Sequence, residues 1–253
     1  MMMLRHIAPA VTALSLLSVP AQALDLSDMT PDQRAAFGEQ VRAYLLENPE
    51  VIIEAVNLLE QRKAQEEAQQ DLHLVQVNAE ELFNDGYSWV GGNPEGDITL
   101  VEFMDYRCGY CRRAVPEVAE LLQSDGNIRL IIKEFPILGE ASLASSRFAV
   151  ATLIVAGPDA YKQVHDALLD FTGEADAVAL RRIGEGLGLD TDAILAEMES
   201  EEVTRRLAET RALAQRLNIS GTPSFVMETE MLRGYLPADQ MQQVADALRA
   251  ERS

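Results

Sequence analysis

The sequence predicts an α/β domain with a block of helices inserted between the two halves of its sheet, preceded by a separate helical segment. Three observations predict it. Apolar runs at residues 98–104 and 128–135 flank a single helical stretch, as in a parallel strand–helix–strand unit. Residues 139–218 are helical in pattern throughout. Short strand patterns at 224–227 and around 231–235 then return, and an amphipathic helix closes the chain with Met241, Val244 and Leu248 on one side.

The chain of 253 residues opens like an export signal: Arg5 in a short polar start, an apolar stretch over 11–19, Pro20, and the small-x-small site Ala21-Gln22-Ala23. Cleavage is expected after Ala23, with retention as an N-terminal anchor as the alternative. The stretch is well short of the roughly 20 residues that span a bilayer, and no later segment is expected to reach that length. No cysteine lies near the cleavage site, which argues against a lipid anchor. The expected domains are 1–23 as signal, 24–85 as a helical stalk or oligomerisation region, and 86–253 as the sheet domain with its insertion at 139–218.

The formal charge of −20 becomes −21 once Arg5 is removed. So acidic a surface repels phosphate backbones and anionic lipid heads, which leaves nucleic acid and membrane surfaces as poor partners. Unfolded protein remains a candidate partner.

In the N-terminal segment, Thr30-Pro31-Asp32-Gln33 combines an N-cap hydroxyl, a proline at the first helical position and a glutamine able to close a capping box. Phe37, Val41, Tyr44 and Leu45 follow at helical spacing. Asn48-Pro49-Glu50 starts a second helix, with Ile52, Val56 and Leu59 on one face. Residues 60–71 are almost wholly polar and can bury no face of their own. The apolar faces either pack against copies of themselves, with the polar stretch as a spacer, or lie on the main domain.

The main domain is expected to begin near Trp89, with 91–97 as a turn-rich loop before the strand at 98–104. A helix then runs from Cys108 to about Gln123, broken or kinked at Pro116, where the ring removes a backbone donor. Asp125-Gly126-Asn127 turns the chain into the next strand. Breaks at Gly157-Pro158, Thr172-Gly173, Gly188 and Ser200 divide 139–218 into about four helices.

Only two cysteines occur, as Cys108-Gly109-Tyr110-Cys111 directly after the first strand. A bridge over two residues removes little unfolded-state entropy, so the pair is better suited to redox chemistry than to stapling. A helix N-terminus favours thiolate over thiol, which makes Cys108 the candidate nucleophile. Cys111, in the first turn, is the candidate resolving thiol. Gly109 and Tyr110 sit between the sulfurs. His73 and His165 are isolated and His6 leaves with the signal, so no zinc set is complete. No cofactor is expected. Soft Cu(I) is the one metal that Cys108 and Cys111 could take by themselves.

Strand, Cys-x-x-Cys, helix, strand, then Ile219-Ser220-Gly221-Thr222-Pro223, a hairpin and a helix: this order resembles the thioredoxin superfamily over nearly all of 89–252. The helical insertion is similar to the DsbA-like branch of exported thiol–disulfide oxidoreductases. Tyr44-Leu45-Leu46-Glu47-Asn48-Pro49-Glu50 together with Cys-Gly-Tyr-Cys is similar to the Com1/ScsC-like subgroup, whose N-terminal extension is an oligomerisation stalk. Cys-Gly-Tyr-Cys also resembles the motif of the dimeric isomerase DsbC, which has a different domain layout.

The resemblance implies a cis Thr222–Pro223 bond against the sulfurs, where an extended substrate segment can pair with open backbone; an ordinary trans turn is the alternative. It also implies that Glu102, six residues before Cys108, is a buried acid beneath the resolving cysteine, able to relay its proton. Strand alternation equally allows Glu102 to face outward and pair with Lys133. The expected function is periplasmic disulfide isomerisation or reduction on misbonded exported proteins. A DsbA-like dithiol oxidase, and from another class a copper-binding or holdase protein, are the rivals. The implied partners are a membrane reductant of the DsbD or ScsB kind and further copies of the chain, with a trimer suggested by the resemblance.

Overall fold

The structure is a computed structural model describing residues 29–252, so the expected signal at 1–23 lies outside the described residues. The chain divides into two compact units between Glu60 and Gln61. In the first, helix α1 (Pro31–Glu47) starts with the capping box the sequence encodes. Thr30 Oγ1 accepts from the Gln33 N–H at 3.3 Å, and Gln33 Oε1 accepts from the Thr30 N–H at 2.9 Å. Helix α2 (Glu50–Val77) begins at Asn48-Pro49-Glu50 and continues unbroken through the polar stretch. Phe37, Val41, Tyr44, Ile52, Val56 and Leu59 are all exposed.

The second unit takes in more of the N-terminal segment than the boundary at 85 suggests. Val75 and Leu82, the latter in the short α3 (Ala79–Phe83), are buried against Val101, Phe103, Ile131 and Val226 of the sheet. Few apolar residues follow the polar stretch, too few to form a stripe visible in sequence. Polar clamps hold the same segment. Arg216 Nε donates to Asn78 Oδ1 at 2.6 Å, and the fully buried Lys133 Nζ donates to Glu81 O at 2.7 Å and to Asp85 Oδ2 at 2.5 Å.

The five-stranded sheet has the order β1-β3-β2-β4-β5. β2 (Ile98–Met104) and β3 (Ile128–Glu134) are parallel, paired Glu102 to Ile132 and Met104 to Glu134. β4 (Ser224–Met227) lies antiparallel to β2, and β5 (Glu230–Arg233) antiparallel to β4. β1 (Trp89–Gly92) is antiparallel to β3 and corrects the loop expected from 91. Gly91 and Gly92 carry no strand-favouring side chain, and backbone pairing alone places them in the sheet.

Both faces of β2 are covered. Leu100 and Met104 join the larger core, with Ala114 and Leu121 of α4 (Gly109–Asp125), Phe148 and Val164 of α5 (Glu140–Asp170), and Met241 of α9 (Ala238–Glu251). Val101 and Phe103 face α3 and the end of α8 (Glu201–Arg216). Complete burial of each such side chain contributes about 1.5–3 kcal/mol.

α4 runs unbroken through Pro116, so of the break or kink expected there the break is absent; it ends at Gly126, whose φ of 71° suits a residue without Cβ. The insertion consists of α5, α6 (Ala177–Gly186), α7 (Thr191–Glu197) and α8, the four helices expected. α5 is in effect two helices joined at Gly157, where φ is 84°. By length and composition alone it could cross a membrane, which corrects the expectation that no later segment reaches that length. Its Phe148, Ala151, Tyr161, Val164 and Leu168 are core residues of this fold.

Candidate active site: a dithiol at a helix N-terminus

Cys108 is the N-cap of α4, with φ −77° and ψ 117°. Its N–H donates to Asp105 O at 3.0 Å and its carbonyl accepts from the Arg112 N–H at 3.2 Å, which fixes the sulfur at the helix mouth. The Sγ donates to the carbonyl oxygen of Thr222 at 3.1 Å, and the Thr222–Pro223 bond is cis. Cys111 lies one turn in, 1% exposed against 7% for Cys108, and its sulfur accepts from the Asp105 N–H at 3.5 Å. Neither sulfur is bridged. Tyr110, between them in sequence, is 61% exposed.

Asp105 organises this turn, and sequence reasoning missed it. The carboxylate is fully buried. Its Oδ1 accepts from the Arg107 N–H at 2.7 Å, and its Oδ2 accepts from Ile137 at 2.8 Å and Leu138 at 3.1 Å, both backbone N–H groups. An aspartate bonding to the N–H two residues on was the available signal, in Asp105-Tyr106-Arg107-Cys108. Two arginines fasten the other side. Arg107 Nη1 donates to Gly173 O at 2.8 Å, and Arg112 Nη2 donates to Tyr106 O at 3.0 Å and to Phe171 O at 2.7 Å. The end of α5 is thereby tied to the nucleophile turn.

Glu102 is buried, 8% exposed, and lines a cavity of about 90 Å³ together with Cys111, His165, Lys162 and Asp166. The outward placement beside Lys133 is overturned, because that lysine lies on the opposite sheet face with Asp85. Burial, and then the charge of Glu134, push the Glu102 carboxyl up to about 8. Burial also pushes the Cys111 thiol well up, opposed by the Asp105 N–H and reinforced by the charges of Glu102 and Cys108. The cavity is large enough for water to bridge Glu102 and Cys111.

A second buried acid went unread. Glu134 accepts from Tyr161 Oη at 2.6 Å, Tyr106 Oη at 2.7 Å and Ser146 Oγ at 2.8 Å. His165 Nδ1 is 3.0 Å from Tyr106 Oη, whose proton is committed to Glu134, so the network assigns the proton of this contact to Nδ1. Burial holds His165 down at about 4 and therefore neutral, and the ring stacks on Tyr161 with centroids 5.7 Å apart. The five groups come from the turn after β2, from β3 and from α5 and are far apart in sequence, so no spacing announces them.

A helix N-terminus bearing one thiol at its mouth, a second thiol beneath it, and a cis-proline turn against the first make an arrangement for thiol–disulfide exchange. The family of DSBA-like thioredoxin domains matches residues 99–249. The chain belongs to this DsbA-like family. Residues 33–66 also match the N-terminal domain of the copper resistance protein ScsC. Among solved structures, a thioredoxin-like oxidoreductase from Silicibacter pomeroyi is 44% identical, over 69% of this chain and 98% of that one, with a TM-score of 0.63. ScsC of Proteus mirabilis in a transitional conformation is 25% identical, over 89% of this chain and 99% of that one, with a TM-score of 0.64. Among curated proteins, the Na(+)/H(+) antiporter NhaA 3 of Salinispora tropica is 32% identical over 136 residues, 54% of this chain. The chain spans about a fifth of that relative's length (21%).

Proposed function

We propose that this protein is an exported disulfide isomerase or reductase for misbonded proteins of the periplasm. The observation that carries the reading is the Cys108 sulfur at the mouth of α4, beside the Thr222 carbonyl, with Cys111 sealed below it. The Cys108 thiolate attacks a client disulfide; a Cys108–client bond forms, and the departing client sulfur leaves with the electron pair and takes a proton. Release comes either from another client thiol, which moves the disulfide, or from Cys111, which reduces the client and leaves Cys108–Cys111 oxidised. The oxidised pair then needs a dithiol reductant, a role for a membrane partner of the DsbD or ScsB kind.

Two features favour isomerase over oxidase: the Gly109-Tyr110 spacer, and an N-terminal unit whose apolar residues are exposed and whose sequence matches an ScsC N-terminal domain. Joining several copies through that unit, as a trimer or another oligomer, would present several thiols to one client at high local concentration.

The test is refolding of scrambled ribonuclease by the full chain and by a chain beginning at Gln61, the start of the compact sheet unit. The reading predicts isomerisation by the full chain and its loss, with dithiol oxidation retained or gained, in the shorter one. Equal isomerisation by both would remove the stalk from the account. Net oxidation without isomerisation by the full chain would favour the oxidase reading.

A further inference from the structure

Glu102 and Glu134 stand on the same face of adjacent parallel strands as diagonal neighbours, since Glu102 pairs with Ile132 and Met104 with Glu134. Their surroundings differ. Three hydroxyls, from Tyr106, Tyr161 and Ser146, point their protons at Glu134. No hydrogen bond reaches the Glu102 carboxyl from the described residues, and it lines the cavity that Glu102 shares with Cys111. We propose that Glu134 is a positioning residue for the resolving step: it carries the negative charge of the pair, and so holds the proton on Glu102 and delays Cys111.

Two buried carboxylates on neighbouring strands resist double ionisation, and donors aimed at one of them decide which ionises first. The groups facing Glu134 are Tyr106 and Asp105 after β2, Glu102 on β2, and Ser146 and Tyr161 on α5, with neutral His165 behind Tyr106; Tyr87, and Arg206 of α8, the latter ion-paired with Glu202, line a pocket with it. Those facing the Glu102–Cys111 cavity are His165 and the ion-paired Lys162 and Asp166 of α5. In the resolving step, Cys111 gives its proton to the Glu102 carboxylate and its sulfur lone pair attacks Cys108. The Cys108–Cys111 bond forms, the Cys108–client bond breaks, and the electron pair leaves on the client sulfur, which takes a proton from water. A proton already on Glu102 blocks the first transfer. The mixed disulfide then lives longer, which favours release by a second client thiol. This inference deepens the isomerase reading and rests on it only for that last consequence.

The experiment uses the full chain with thionitrobenzoate held on Cys108 as the mixed disulfide, and follows coloured thiol release by Cys111 across pH. Glu134→Gln should move the midpoint of the rate profile to lower pH and speed release by about 3- to 10-fold at mildly acidic pH. Tyr161→Phe, which withdraws one donor, should move it in the same direction by less. The Glu102 carboxyl carbon, followed by NMR, should titrate at lower pH in both variants. Adding Glu134→Gln to Glu102→Gln should change nothing further. An unmoved midpoint in folded Glu134→Gln, or in Tyr161→Phe if the first variant does not fold, overturns the proposal. So does an effect of Glu134→Gln that persists without Glu102. Because release is read on a small thiol, the result stands or falls whether or not the protein isomerises ribonuclease.

Discussion

The sulfur of Cys108 lies 3.1 Å from the carbonyl oxygen of Thr222, while the sulfur of Cys111 is turned inward to the backbone N–H of Asp105. One thiol thus borders the backbone where an extended client could pair, and the other is held in reserve. Brief alkylation of the reduced protein at neutral pH should therefore label Cys108 at least about 10-fold faster than Cys111, because thiolate is the reacting species and burial keeps Cys111 protonated. Mass spectrometry of the digested protein measures the ratio. Equal labelling would contradict the asymmetry.

Glu102 makes stability fall as pH rises. Its folded value, about 8, lies above the ordinary value of 4.5, so the unfolded chain releases the proton first and is favoured progressively between the two. Below 4.5 both states hold the proton and the loss is absent; above about 8 it is complete. Glu102→Gln should flatten this slope and raise stability at alkaline pH by a few kcal/mol (~2–4), as urea midpoints across pH would show.

Lys133 has no exposed side-chain surface and pairs with Asp85 at 2.5 Å. Lys133→Met leaves Asp85 without its cation and should cost about 3–5 kcal/mol, whereas replacing both partners with apolar residues should cost far less. Urea unfolding of the single and double variants decides between them. Equal destabilisation would show that the pair is not coupled.

Arg112 ties Tyr106 O and Phe171 O together. Arg112→Met keeps much of the stem and removes the donors, so it should cost about 1–3 kcal/mol and loosen the turn that carries Cys108. Faster proteolysis near 171–173 together with slower thiol exchange would report both effects. Unchanged exchange would place the clamp outside the function.

The strand–helix–strand unit, the four insertion helices and the turn at Thr222-Pro223 were legible because each is written in local pattern: apolar runs, breakers, and a proline after a helical block. Glu102 was legible only as an ambiguity. Alternation on a strand assumes one wet face, and β2 has none, because the end of α2 and α3 cover the side that sequence left open. β1 was hidden by its glycines. Asp105, Arg112 and the Glu134 network owe their roles to partners tens of residues away, as with Phe171 for Arg112 and Tyr161 for Glu134, and no window of sequence contains both ends.

The central claim is that Cys108 attacks and Cys111 releases. The most direct measurement is to incubate the Cys111→Ser protein with scrambled ribonuclease, quench with acid, and identify the covalent adduct by mass spectrometry. The account predicts a stable mixed disulfide at Cys108, absent when Cys108→Ser is tested in the same way. An adduct at Cys111 in the Cys108→Ser protein, or none in either, would contradict it.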